Sequence, residues 1–72
     1  MTQFPVFRKF PNNEAFFIIH NERSFTEWKP LGKKMLRFDF EAKTYFDIRL
    51  IADMIGMDQG RWVEWDGNLK FD

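Results

Sequence analysis

The chain reads as a small α+β domain: a four- to five-stranded, mainly antiparallel sheet with one helix packed on a face, the alternative being a small all-β barrel. Three observations carry this expectation. Short runs of alternating or strongly β-prone residues recur between turn residues. One later stretch has helical period and helical end signals. Aromatic residues make up 19% of the 72 residues, ten of them Phe, which supplies the buried area that so short a chain needs.

The first two strands are expected at Val6 to Phe10 and Glu14 to His20, joined by Pro11-Asn12-Asn13, residues suited to turn geometry. Ala15 to Ile19 is apolar on both alternating faces, as a central strand requires. In the next segment, Ser24-Phe25-Thr26-Glu27 matches a capping box, and Pro30 with Gly32 closes it. The sequence leaves a helical turn and an edge strand both open for residues 24–30.

Residues 35–42 alternate cleanly, with Leu36, Phe38, Phe40 and Ala42 on one face and Met35, Arg37, Asp39 and Glu41 on the other. That pattern predicts a half-buried antiparallel strand. Thr44 followed by Asp47 then opens a helix that Gly56 ends, over roughly residues 45–56. Its apolar residues form two stripes, Tyr45, Ile48, Ile51, Ala52 and Ile55 in one and Phe46, Leu50, Met54 and Met57 in the other. At the end, Asp66-Gly67 predicts a tight hairpin between residues 61–65 and 68–72, with Trp62, Leu69 and Phe71 facing the core and Trp65 facing Asn68 on the other side.

No linker or repeat divides residues 1–72, so one domain is expected. No Cys is present, and the first residues lack a signal peptide's basic segment and apolar run, which predicts a cytoplasmic protein. No apolar run reaches the length of a membrane span. Net charge is zero, yet residues 1–37 hold seven cations against three carboxylates, and residues 38–72 hold four against eight. Complementary halves suit pairing within one fold, or a homodimer in which basic and acidic surfaces meet.

Chemistry is sparsely provided. Ser24 and His20, the one serine and the one histidine, are the whole supply for a serine nucleophile and its imidazole base, with no Gly-x-Ser-x-Gly elbow, and they suit a turn cap and a strand end instead. No metal-ligand spacing or phosphate-binding glycine motif occurs, so no catalytic residue, metal or cofactor is expected. The second helical stripe is the stronger lead. A single helix on a small sheet buries one stripe, so Phe46, Leu50, Met54 and Met57, with the neighbouring Trp65, are the candidate interface for a protein partner or a second copy of the chain. The alternative is single-stranded nucleic acid bound by Trp28, Lys29, Lys33, Lys34 and Arg37, bases stacking on the aromatic and phosphates meeting the cations.

The order of a strand-rich basic first half, Glu41-Ala42-Lys43-Thr44-Tyr45, Ile51-Ala52-Asp53-Met54-Ile55 and a late Trp62 resembles short uncharacterised bacterial single-domain proteins. The resemblance implies a free-standing bacterial cytoplasmic protein and attaches no activity to it.

Overall fold

The computed structural model describes residues 3–57 and 60–68. Five strands and one helix follow in the order β1 (Val6–Lys9), β2 (Phe16–Asn21), β3 (Ser24–Leu31), β4 (Lys34–Glu41), α1 (Tyr45–Gly56) and β5 (Val63–Glu64). The strands make one open antiparallel sheet in the spatial order β4-β3-β2-β1-β5, so the barrel alternative does not apply. No helix among the described residues is long and apolar enough to cross a membrane.

β2 lies in the middle of the sheet, as its two-faced apolar run demands. The turn before it closes through Asn13 at φ 62°, a conformation asparagine tolerates, with the Asn13 amide donating to the Phe10 carbonyl at 3.0 Å. Residues 24–30 are neither a helical turn nor an edge. They form β3, bonded to β2 on one side and β4 on the other. The capping-box pattern is overridden because Phe25, Thr26 and Trp28 favour extended backbone and find strand partners on both flanks. Pro30 is tolerated inside β3 because the ladder to β2 ends at Phe16 opposite Trp28, leaving no bond for its missing N–H to make.

The register sorts the side chains. Val6, Ile19, Phe25 and Phe40 lie in one row across four strands, and Arg8, Phe17, Glu27 and Phe38 in the next, all facing α1. The helix lays Ile51 and Met54 onto these rows, and Trp62 closes the far side, stacked 6.4 Å from Phe10. Phe40 and Ala42 of the β4 segment join this core, whereas Leu36 and Phe38 stay exposed: Leu36 pairs with Lys29, beyond the last β2–β3 pair at Phe16 and Trp28, and Phe38 ends its row at the edge of the sheet.

α1 begins where its sequence signals place it. Asp47 donates its amide to Thr44 Oγ1, and the Asp47 carboxylate accepts from the amides of Thr44 and Lys43, a complete capping box. Its last turn holds no cation of its own. Arg8 of β1, 9% exposed, supplies one, donating Nε to the Met54 carbonyl at 3.0 Å and Nη2 to the Ile55 carbonyl at 2.7 Å.

After Trp62, β5 adds a short edge beside β1, with Arg8 opposite Glu64. Gly67 follows at φ 81°, where the Asp66 carboxylate accepts from the Asn68 amide. Leu69 and Phe71, expected to complete the terminal hairpin, lie outside the described residues.

Candidate interaction surface

Of the expected interface residues on α1, three are on the surface. Phe46 is 80% exposed, and Leu50 and Met57 are more than a third exposed. Met54 is not on that surface: at 1% exposure it is core, because its position on the helix faces the sheet beside Ile51. The second stripe is therefore split, with its centre spent on the fold and its outer edge left to solvent.

The direction of that edge follows from helix geometry. Ile48, Ala52 and Ile55 line a cleft with Glu22 of the β2–β3 turn, so this flank of α1 looks towards that turn. Phe46 and Leu50 lie on the opposite flank of a helix with 3.6 residues per turn, and Met57 is the left-handed cap just past its end. That flank looks towards the end of the sheet where Leu36 and Phe38 stand exposed on the same face. Helix edge and hairpin face thus turn apolar residues to one side of the molecule, with Glu27, Lys29 and Lys34 standing among them on the hairpin.

Trp65 is not part of it. Its ring meets Phe7 and Phe16 edge-on, at 5.8 and 5.1 Å between centroids, on the sheet face away from α1. Its indole N–H donates to the Phe17 carbonyl at 3.1 Å. Half-buried and bonded, Trp65 seals the open face over β1 and β2.

The residues expected to bind nucleic acid are also divided by the pleat. Trp28 stands opposite Arg37 on the open face, the guanidinium 5.7 Å from the ring centroid. Lys29 and Lys34, one position out of phase in β3 and β4, take the face of the helix, and Lys33 sits in the turn between them. Lys9, Phe16, Trp28 and Arg37 do share one row across four strands of the open face, which alternation within a single segment does not reveal.

On that face His20, Thr26 and Asp39 are joined. Thr26 Oγ1 donates to Asp39 Oδ1 at 2.8 Å, and His20 Nε2 lies 2.8 Å from the same hydroxyl. A hydroxyl has one proton, so with that proton on Asp39 the imidazole must be the donor to Thr26. The arrangement orders two donors towards a carboxylate and leaves no base aimed at a hydroxyl. Ser24 lines the adjoining cleft of about 280 Å³ without joining the chain. Thr26 does most to hold the Asp39 carboxyl below its ordinary 3.8; burial pushes the other way, and Arg37 through its Nε at 3.2 Å adds to the lowering. Among the described residues no cluster of three His, Cys, Asp or Glu side chains could hold a metal ion.

Compared with known proteins, the chain matches no family model, no curated protein and no solved structure.

Proposed function

We propose that the protein is a non-enzymatic interaction module whose notched surface, with Phe46 and Leu50 of α1, Met57 at its cap, and Leu36 and Phe38 of β4 as its apolar residues, is covered by a second copy of the chain. The exposure of Phe46 carries this reading. A large aromatic four-fifths in water, beside further apolar residues on one side of the molecule, is contact area held outside the fold. A second copy is the favoured occupant because the chain changes from basic to acidic at its midpoint, so each copy offers the other an opposite charge.

Light scattering on the eluting protein at several concentrations tests it. A dimer that dissociates on dilution is expected, and Phe46→Asp should shift it towards monomer. A species that stays monomeric throughout overturns the reading.

A second reading rests on the row Lys9, Phe16, Trp28 and Arg37, since aromatics and cations crossing neighbouring strands are a stacking platform for unpaired bases. Titration with single-stranded oligonucleotides at low salt should then quench Trp fluorescence. An unchanged signal removes it.

A further inference from the structure

We infer that β4 is the self-association edge, and that two copies join their sheets antiparallel with Phe38 opposite Phe38 across a two-fold axis. This rests on the self-association proposed above and adds the strand, the register and the charges that choose it.

The two edges of the sheet differ. β5 offers two residues, Val63 and Glu64, whereas β4 offers eight, without proline and in unbroken register with β3 from Ser24–Glu41 to Leu31–Lys34. Among the described residues β4 is paired on one side only. Edges are usually shortened, bulged, broken by proline or charged to prevent further pairing; β4 is long, unbulged and free of proline, and its charges, Lys34, Arg37, Asp39 and Glu41, are of both signs, so they select a register rather than repel every one. Its apolar residues on the helix side, Leu36 and Phe38, are exposed as well.

The turn fixes which backbone groups are free. Leu31 and Lys34 flank a two-residue turn at Gly32 and Lys33, so they must exchange both hydrogen bonds, and the pairs alternate from there. Leu36, Phe38 and Phe40 therefore point their N–H and C=O groups at β3. Met35, Arg37, Asp39 and Glu41 point theirs outward.

A two-fold axis relating antiparallel strands passes through a pair of identical residues, so each register has one residue opposite itself. Centring on Arg37 sets guanidinium against guanidinium, and centring on Asp39 sets carboxylate against carboxylate. Centres further out leave three or more of the eight residues unpaired, against one for Phe38. Centring on Phe38 places Arg37 opposite Asp39 twice, Leu36 opposite Phe40 twice and Met35 opposite Glu41 twice. The outward-pointing residues pair with one another, so every ladder bond is made. On the open face the four charges alternate in sign around the axis. On the helix face Phe38 meets Phe38, at the closer spacing of a non-hydrogen-bonded pair. Both helices then lie on the same side of one continuous sheet. The start of α1, with Phe46, lies beside the strand end where Leu36 of the second copy falls.

The chain has no cysteine, so single-cysteine variants read the register directly. Arg37→Cys, Phe38→Cys and Asp39→Cys are each oxidised in the full chain and run on a non-reducing gel. Only Phe38→Cys should form covalent dimer as its main product, because paired Cα atoms there are about 4.5 Å apart, within disulfide reach, whereas the diagonal spacing of the other two is about 8 Å. Arg37→Asp should weaken the dimer about tenfold or more, and Arg37→Asp with Asp39→Arg should restore it.

If the unmodified protein is dimeric but Phe38→Cys does not crosslink, or Arg37→Cys or Asp39→Cys does so instead, the β4 register is wrong while self-association stands. If the protein is monomeric at every concentration, both fail.

Discussion

Arg8 occupies an inward-facing position of β1 between apolar neighbours, and its guanidinium caps the Met54 and Ile55 carbonyls. Arg8→Leu keeps the packing volume and removes the cap, so a loss of about 2–4 kcal/mol is expected from denaturant melts, and Arg8→Lys should not restore it, having no planar fork. The contact from Arg8 to Glu64 is long, 3.6 Å, and Glu64 is largely in solvent, so Glu64→Gln should change stability little.

Thr44→Ala should cost about 1 kcal/mol by removing the helix cap. The amide of Lys43, then that of Thr44, hold the Asp47 carboxyl below its ordinary 3.8, as Thr26 and Arg37 do for Asp39. A depressed folded value means the stabilisation is fully present above pH 3.8 and is lost as the pH falls through the lower folded values. Acid melts of Asp47→Asn should therefore be flatter across that window than those of the unmodified chain.

At the scale of elements, the bounds of α1 were legible, because Thr44 and Asp47 act within one turn; at its close Gly56 is the last helical residue, and the left-handed cap is Met57 at φ 53°. β3 was not. Its capping-box residues and Pro30 speak for a turn, and what makes them strand is a pair of neighbouring strands far away in sequence. For the same reason the pleat that separates Trp28 from Lys29 and Lys34 was hidden while residues 24–30 had two readings. Met54 was misplaced by less than a quarter turn of helix, since two apolar stripes leave the azimuth of burial open until the sheet is known.

Turn glycines give a graded test at this scale. Gly32 has positive φ and open space around a would-be Cβ, so Gly32→Ala should cost about 1 kcal/mol of backbone strain. At Gly67 the same atom would lie 2.8 Å from the Phe7 ring as well, so Gly67→Ala should lower the melting temperature further.

As a whole, the molecule measures 36 × 22 × 21 Å, and its length comes from a hairpin with no helix beneath its tip. The charge asymmetry visible in the sequence becomes spatial here: its changeover falls between Arg37 and Asp39, midway along the free edge. Sequence alone showed the two halves; the sheet order shows where they meet. If a second copy binds there, the melting temperature should rise with protein concentration, which calorimetry over a hundredfold range checks.

The guanidinium bridge from β1 to the close of α1 has a kinetic consequence. The helix is tethered at its far end and merely self-capped at its near end, so unravelling should start near Tyr45 and stall before Met54. In deuterium, amides of the first turns should exchange by local fraying, while those of residues 54–57 should wait for the whole sheet to open. Removing the side chain of Arg8 should erase that difference.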